Sequence, residues 1–361
     1  MVQSFYALTM PGVETLAFSE IRALAKDAEL VKFSRGMVQF RSDVSPNVLL
    51  QLRTVEDVFV VLAHITGIGR AGNALRVFHS ATLRADVPTA LATWRRARKT
   101  GPAKTWRVVS QMQGSHQFRR VDAGQAVTDA LKELFPHKMR YVEDDADLEV
   151  WLWISGSEAL VGVRLSDATM RHRTYKREHL PASLRPTVAA AMVLLSRPTE
   201  QDIVLDPLCG AGTVLIERAL SSAYERALGG DIREDAVEMA RRNARFAHVQ
   251  TTWQTWDARA LPLEDGSVTR ILTNLPFGKQ VGNHEQNTLL YKQLSQEFKR
   301  VLRKDGLLVT LTSEDRLWES SLHVAGWRIL KKVVLVVLGQ PASIFVAEQR
   351  DENIIPKDEE T

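Results

Sequence analysis

The sequence predicts an α/β protein in which a Rossmann-like parallel sheet, ending in an antiparallel hairpin, follows an N-terminal α+β region. From residue 201 onward, short apolar runs alternate with longer helical patterns, beginning with DIVLDPL and TVLIERALSSAYERA. Strands that alternate with helices form parallel sheets covered by helices. The last two apolar runs, WRILKKVVLVVL and SIFVAEQ, are separated only by a tight turn at GQPA. They therefore predict an antiparallel hairpin at the end of the sheet.

The N-terminal half has a different pattern. Residues 1–180 mix β-like runs such as SFYALTM and VFVVLAHI with helical stretches such as AGQAVTDALKELF, and two runs around SGSE indicate a hairpin. Such a mixture is typical of α+β units. The stretch TGIGRAG predicts a break between two small modules. The predicted segments are two modules, a basic linker with a helix, the sheet domain and an acidic tail: 1–68, 69–168, 169–200, 201–350 and 351–361.

Composition excludes several classes of protein. Hydrophobic residues make up 45% of the chain and charged residues 25%, as in ordinary globular proteins. We find no secretory signal and no apolar run of the ~20 residues that a membrane span needs. The single cysteine, Cys209, rules out an intramolecular disulfide and favours a reducing, cytoplasmic setting. A monomer is the default expectation.

Basic residues concentrate in the N-terminal half. Residues 76–140 hold 13 Lys and Arg against 4 Asp and Glu. The segment WRRARKTGPAKTWR (94–107) puts cations next to two tryptophans, which suits phosphate contacts and base stacking. The alternative is a solvated loop whose tryptophans belong to the core. The candidate RNA contacts in this half and in the linker are Arg95, Arg96, Arg98, Arg119, Arg120, Arg171 and Arg173.

A candidate cofactor site follows the first strand of the sheet domain. In DPLCGAGT (206–213), Gly210 and Gly212 permit a tight turn and a close approach of the backbone to a ligand. Asp231 ends the next strand in GGDI, where a carboxylate can bind ribose hydroxyls. Asp257, in TWDARA, follows another strand, where an adenine amino group could reach it.

The charges at this turn favour S-adenosylmethionine over a dinucleotide. A pyrophosphate loop needs a third glycine, but Leu215 stands three residues after Gly212. Asp206 would repel phosphate, whereas it would attract a cation or an amino group, and S-adenosylmethionine carries a sulfonium and an amine without phosphates. Asp206 could also serve only as a capping or strand-end carboxylate. Cys209 is interpreted as a small residue that fills the turn.

The stretch TNLPFGKQ (273–280) ends a later strand of the same sheet. A turn alone would explain its Asn, Pro and Gly. Methyl transfer to an exocyclic amine of a base would explain all the residue types, because the Asn274 side-chain oxygen and the Leu275 carbonyl can accept from the amino hydrogens. Pro276 would hold that carbonyl in direction, and Phe277 would stack on a flipped-out base.

Taken together, DPLCGAGT, GGDI, WDA and NLPFGK resemble the class I S-adenosylmethionine-dependent methyltransferases that modify exocyclic amines. The form NLPFG is similar to that of the tRNA guanosine-N2 methyltransferases with an N-terminal THUMP domain. FYALTMPGVETLAFSEIRAL is similar to the start of the ferredoxin-like module of those enzymes, residues 69–168 match the size and place of THUMP, and YKREHLPASLRPTVAAAMVLLS resembles their linker.

The resemblance implies an enzyme that binds tRNA through THUMP and methylates N2 of a guanosine in the acceptor stem, at position 6, or nearby at position 10. It implies catalytic roles for Asn274, Leu275, Pro276 and Phe277. The implied cofactor residues are Asp206, Pro207, Cys209, Gly210, Gly212, Thr213, Asp231, Ile232, Asp257, Ala258 and Asn274. One departure is QMQG (111–114), where a more basic stretch is expected; Arg119 and Arg120 would substitute.

Other interpretations stay open at this point. The substrate could be ribosomal RNA, or the reaction could be N6-adenine methylation. A non-catalytic RNA-binding protein would be expected to have lost part of the site, and an NAD-dependent oxidoreductase is disfavoured by the missing glycine and by Asp206. Lys279 could contact a phosphate or be an exposed residue of a lid over 279–287. No metal site is predicted.

Overall fold

The computed structural model describes residues 2–68, 73–180, 183–277, 284–337 and 339–350. The chain divides into two compact units. The first comprises Met1–Thr9 and Ala17–Met170, and the second comprises Met10–Leu16 and the chain from Arg171 onward. No described helix is both long enough and apolar enough to cross a membrane.

The first unit is built on one eight-stranded sheet. The elements over residues 3–172 are β1 (Gln3–Thr9), α1 (Glu14–Leu24), β2 (Glu29–Ser34), β3 (Met37–Ser42), α2 (Pro46–Leu49), β4 (Val55–Ile65), α3 (Ala74–Thr82), α4 (Val87–Arg98), β5 (Thr105–Gln113), α5 (Arg120–Leu134), β6 (Arg140–Tyr141), β7 (Leu148–Ser155), β8 (Glu158–Arg164) and α6 (Ala168–His172). The strand order is β2-β3-β1-β4-β8-β7-β5-β6. Strands β7 and β8 form the predicted antiparallel hairpin, whereas β5 runs parallel to β7 and β6.

This sheet crosses the predicted break at 66–72. Strand β4, before the break, pairs with β8, far beyond it, from Phe59 opposite Arg164 to Ile65 opposite Ala159. One hydrophobic core also combines residues from both sides of the break, including Phe5 and Trp106. The break therefore does not separate two sheets. Residues 69–72 lie outside the described residues, and the module boundaries stay predictions.

The two tryptophans of segment 94–107 belong to the core. Trp94 lies on α4 and is 4% exposed, and Trp106 lies on β5 and is 1% exposed. Trp106 packs edge-on against Phe135, with ring centroids 4.6 Å apart. The interpretation of these rings as base-stacking platforms is therefore wrong. Each tryptophan lies on the buried face of its helix or strand. Burial of the indole is favourable because it removes a large apolar surface from water.

The opposite face of the sheet carries a small aromatic cluster. Tyr6 and Phe59 stack with ring centroids 4.5 Å apart, and Phe59 contacts Trp151 at 5.3 Å. Gly162 on β8 makes this packing possible, because a Cβ there would lie 2.6 Å from Tyr6 Cε1 and 3.0 Å from the Val60 carbonyl oxygen. The strand residue is therefore a glycine for reasons of space rather than of backbone conformation.

The second unit contains the predicted parallel sheet. Its elements are α7 (Pro186–Leu195), β9 (Ile203–Asp206), α8 (Thr213–Ser221), β10 (Arg226–Asp231), α9 (Glu234–Ala247), β11 (Thr252–Thr255), β12 (Val268–Asn274), α10 (His284–Val301), β13 (Leu302–Thr312), α11 (Asp315–Val324), β14 (Trp327–Val337) and β15 (Gln340–Gln349). The strand order is β11-β10-β9-β12-β13-β15-β14. Strands β9–β13 run parallel, and β15 pairs antiparallel with both β13 and β14. The predicted fold class is confirmed.

Two features anchor the helices on this sheet. Helix α7 begins with Pro186 and is buried on almost every side, as its nearly continuous apolar sequence requires. Helix α8 is held by Arg218, which is fully buried and donates to Asp202 at 3.0 Å just before β9. Further bonds from the two terminal nitrogens of the same guanidinium go to the carbonyl oxygens of Thr199 and Ser222. A buried charge pair of this kind specifies geometry, because either partner alone would be strongly destabilising.

We expect Gly162→Ala to lower the free energy of unfolding by about 1–3 kcal/mol, the usual cost of overpacking a core. The added methyl group would displace Tyr6 from its stack on Phe59. Urea denaturation measures the change. Gly101→Ala, where a Cβ meets no atom within 4 Å, is the matched control and should stay within about 0.5 kcal/mol. Equal stability of the two variants would contradict the packing argument.

Candidate active site

Three strands of the second unit end at polar side chains on one edge of the sheet. β9 ends at Asp206, β10 at Asp231 and β12 at Asn274, and the carboxyl edge of a parallel sheet is where such folds bind ligands. A cavity of 420 Å³ opens there. Its described lining includes Leu180, Ser183, Leu184, Asp206, Leu208, Cys209, Gly210, Ala211, Thr213, Val214, Asp231, Ile232, Arg233, Asp257, Ala258, Arg259, Asn274, Leu275, Pro276, Phe277, Leu290 and Val337.

The turn between β9 and α8 is tied to the end of β10. Cys209 N donates to the Gly230 carbonyl at 2.8 Å, and Gly210 N donates to Asp231 Oδ2 at 3.0 Å. Gly210 has a φ of +48° and Gly212 a φ of +82°, values that glycine adopts without penalty. The turn thus presents backbone to the cavity at Gly210.

Gly212 has a packing role in addition to the predicted tight turn, which its φ of +82° confirms. A Cβ there would lie 2.9 Å from both Ala240 Cβ and Trp253 Cη2. The glycine is needed for packing against α9 and the adjacent strand, and it is absent from the described lining of the cavity. Pro207 is likewise absent from that lining; its carbonyl accepts from Trp256 Nε1 at 3.1 Å. Both residues shape the turn that borders the cavity, and their predicted contacts with the cofactor stay predictions.

Asp206 is the buried charge of the site. Its side chain is almost fully buried, and burial, with a smaller contribution from the charge of Asp231, raises its pKa to about 7. A cation or a protonated amine beside this carboxyl would favour its ionised form and lower its pKa. Burial and the charges of Asp206 and Asp231 also raise the pKa of the Cys209 thiol, so this cysteine stays protonated and fills the turn as expected.

The second and third carboxylates are more accessible. Asp231 accepts from Gly210 N and also from Arg233 N, the latter at 3.1 Å, which fixes its direction beside exposed Ile232. Asp257 lies two residues past β11. The Arg259 guanidinium, 2.6 Å away, lowers the pKa of Asp257. Asp231 and Asp257 are therefore held as oriented acceptors on one wall of the cavity.

The NLPF stretch forms another wall. Leu275 N donates to the Leu311 carbonyl at 2.9 Å, which continues the β12–β13 pairing past the strand end. Asn274 Oδ1 is buried and has no hydrogen-bond partner among the described residues. Pro276 and Phe277 complete the wall. Gly278 and Lys279 lie outside the described residues, as does 279–283 of the predicted lid; α10 begins at His284.

Sequence reasoning missed a wall contributed by the linker. Leu180, Ser183 and Leu184 line the cavity. Asn243 on α9 holds this segment: it accepts from Glu178 N at 3.2 Å and donates to the carbonyl oxygens of Glu178 and Ala211 at 3.1 and 3.0 Å. The sequence did contain a signal, because Asn243 lies three residues after Ala240 on the apolar stripe of α9, where a fully buried polar residue needs a partner.

The candidate RNA-binding arginines differ in their surroundings. Arg95 and Arg96 on α4 are exposed. Arg98 pairs with Asp167 at 3.6 Å, Arg119 pairs with Asp122 at 2.8 Å, and Arg120 donates to the Ser110 carbonyl at 2.8 Å. In the second unit Arg171 is half-buried.

Arg173 does not fit its predicted role. Its side chain is 10% exposed and lies 3.3 Å from Glu217, which is fully buried on α8 and also accepts from the Tyr175 hydroxyl at 2.8 Å. A buried carboxylate requires such partners. Arg173 therefore anchors the linker to α8 instead of offering its charge to phosphate.

Comparison with known proteins agrees with this geometry. Residues 173–339 match the family model for the RMKL-like methyltransferase domain. The tRNA (guanine(6)-N(2))-methyltransferase THUMP3 of Mus musculus is 29% identical over 68% of this chain and 51% of its own length. The tRNA (guanine(6)-N2)-methyltransferase of Archaeoglobus fulgidus is 24% identical over 90% of this chain and 87% of its own.

Among solved structures, TrmN from Thermus thermophilus superposes with a TM-score of 0.81 at 25% identity, covering 97% of this chain and 100% of its own. The chain spans about half the length of the mouse, bovine and human relatives it matches.

The fold and the family match thus define residues 173–339 as a methyltransferase domain of the RMKL-like type. The chain is thus similar in sequence to proteins named tRNA guanine-N2-methyltransferases and similar in fold to TrmN.

The raised pKa of Asp206 predicts a pH effect on stability without ligand. Between its unfolded pKa of ~3.9 and its folded pKa of about 7, the folded protein keeps a proton that the unfolded chain releases. Its contribution to stability is therefore complete below pH ~4 and is lost as the pH rises to about 7, by up to about 1.4 kcal/mol per pH unit.

Asp206→Asn should remove this pH dependence of the free energy of unfolding. Relative to wild type, its free energy of unfolding should rise from pH ~5 to ~7 and then level off, as measured by urea denaturation. Glu200→Gln, at an exposed position of the same unit, is the control. A constant difference between Asp206→Asn and wild type across this range would rule out the buried, protonated carboxyl.

Proposed function

We propose that this protein transfers a methyl group from S-adenosylmethionine to the exocyclic N2 amine of a guanosine in tRNA, at position 6 of the acceptor stem. The observation that carries the proposal is the buried Asn274 Oδ1, which lacks a partner among the described residues and lies in the cavity wall next to Phe277. A buried acceptor without a partner is costly. A substrate amine would satisfy it.

The cavity fits the cofactor by the chemistry of its walls. Asp231 and Asp257 present oriented carboxylates, which suit a ribose diol and an adenine amino group. Buried Asp206 suits the positive end of the molecule, because its carboxyl ionises more readily beside a cation. The volume of 420 Å³ lies in the range of small-molecule sites. When bound, S-adenosylmethionine supplies an electrophilic methyl group on a sulfonium.

The NLPF residues would hold the amine in a reactive geometry. Asn274 Oδ1 accepts one amino hydrogen and the Leu275 carbonyl accepts the other, which favours localisation of the nitrogen lone pair as the amine becomes tetrahedral. Phe277 stacks on the base, and the cavity wall excludes water from the amine. Since the new N–C bond makes the nitrogen positively charged and acidic, its surplus proton can then pass to solvent, and no strong base is required. Positioning therefore supplies most of the acceleration.

The substrate assignment rests on the relatives. The mouse and archaeal proteins are both named for guanine-6 N2 methylation of tRNA. We infer that residues 69–168 act as the THUMP-like RNA-binding domain, that residues 1–68 form the ferredoxin-like module, and that exposed Arg95 and Arg96 contact phosphates. We also propose a monomer in the cytoplasm; the single cysteine agrees with a reducing compartment.

The first test incubates the protein with methyl-labelled S-adenosylmethionine and, in parallel reactions, unmodified tRNA, ribosomal RNA or small nuclear RNA, followed by digestion and identification of the labelled nucleoside. We expect N2-methylguanosine, mapped to position 6. Label at position 10 would change the site, and label in ribosomal or small nuclear RNA alone would overturn the tRNA assignment. Label in adenosine would overturn the assignment of the base.

Asn274→Ala should lower kcat by about 10²-fold or more, as loss of a transition-state hydrogen bond does. The dissociation constant of the cofactor should change little, because the predicted cofactor carboxylates stay in place. Single-turnover methylation and calorimetry measure the two quantities. Gln201→Ala, an exposed change in the same unit, is the control. Full activity of Asn274→Ala would remove Asn274 from the mechanism.

A further inference from the structure

A buried hydrogen-bond chain reaches the NLPF stretch from behind. The hydroxyl of Tyr291 on α10 lies 2.8 Å from the Pro276 carbonyl oxygen and 2.8 Å from Thr312 Oγ1 at the end of β13. Tyr291 and Thr312 are both fully buried. Thr312 Oγ1 in turn accepts from Glu314 N at 2.9 Å. This series of hydrogen bonds thus connects the start of α11 to the Pro276 carbonyl.

The direction of each proton in this chain is determined by its ends. The Pro276 carbonyl can only accept, so the single hydroxyl proton of Tyr291 must be donated to it. The hydroxyl of Thr312 must then donate to the Tyr291 oxygen, while it accepts from the Glu314 amide. Burial raises the pKa of Tyr291, which keeps the phenol protonated and hence a donor at neutral pH.

This chain distinguishes between the two carbonyls of the stretch. The Pro276 carbonyl is occupied by Tyr291, with Asn287 Nδ2 a further 3.5 Å contact. No bond to the Leu275 carbonyl is found among the described residues, whereas its own N–H is fixed to Leu311. Because proline fixes its φ, anchoring the peptide plane after Pro276 also limits rotation of the plane before it, which carries the Leu275 carbonyl.

We infer that Tyr291 is a positioning residue for methyl transfer: through the Pro276 carbonyl it aims the Leu275 carbonyl and the adjacent Asn274 and Phe277 at the amine, and Thr312 orients Tyr291. The inference rests on the proposed function. Tyr291 does not contact the substrate, and the described lining of the cavity does not include it. Its effect should therefore appear in the chemical step and not in binding.

The test measures single-turnover methylation, the KM for RNA, the dissociation constant of the cofactor and Tm for four variants. Tyr291→Phe removes only the hydroxyl, and we expect kcat to fall about tenfold or more, with KM and cofactor affinity within about twofold of wild type. Thr312→Val should lower kcat in the same direction, and Thr312→Ser, which keeps the hydroxyl, should restore it.

Thr310→Val is the matched control. Thr310 is equally buried on β13 and loses a comparable bond, from Trp318 Nε1 at 2.7 Å, but that bond does not lead to Pro276. A similar fall of kcat and Tm in Thr310→Val and Tyr291→Phe would overturn the inference and leave a structural role. Unchanged kcat in Tyr291→Phe, with Asn274→Ala impaired, would overturn it while the proposed function stands. Absence of RNA methylation by wild type would overturn the proposed function itself.

Discussion

The tie between the turn at residues 208–212 and the end of β10 is the constraint on which the candidate site depends. Two bonds form it: Cys209 N to the Gly230 carbonyl and Gly210 N to Asp231 Oδ2. Together they fix the path of the backbone along the cavity. The second bond also orients the Asp231 carboxylate. Because the turn leads directly into α8, this tie also determines where that helix packs on the sheet. A shift of Asp231 would therefore disturb the turn and the carboxylate together.

The site collects unfavourable features that the surrounding fold stabilises. Asp206 is a buried carboxyl with a raised pKa, and Asn274 Oδ1 is a buried acceptor without a described partner. Each would destabilise an ordinary core by about 1–3 kcal/mol. By contrast, the buried guanidinium of Arg218 has a carboxylate partner in Asp202. A buried acceptor without a partner, such as Asn274 Oδ1, is a group that a ligand can complete.

Several sequence predictions concerned charge, and there the structure changed the interpretation. Arg173 lies in a basic stretch, yet its guanidinium forms an ion pair with buried Glu217. Trp94 and Trp106 flank cations, yet both rings are in the core. Local sequence shows which charges are neighbours along the chain. It does not show that a carboxylate 44 residues away is the ion-pair partner. The partner of a charged side chain therefore depends on tertiary packing.

The sequence by itself determined the parallel sheet, its terminal hairpin and the residues at the strand ends, since alternation of strand and helix fixes which ends share an edge. It also predicted the methyltransferase domain, because its motifs occur at those same ends. Only the tertiary structure decided the linker wall held by Asn243, the packing role of Gly212 and the chain from Glu314 through Thr312 and Tyr291 to Pro276. These depend on contacts between elements distant in sequence, and although a periodic pattern can mark a buried polar residue such as Asn243, it does not identify the partner.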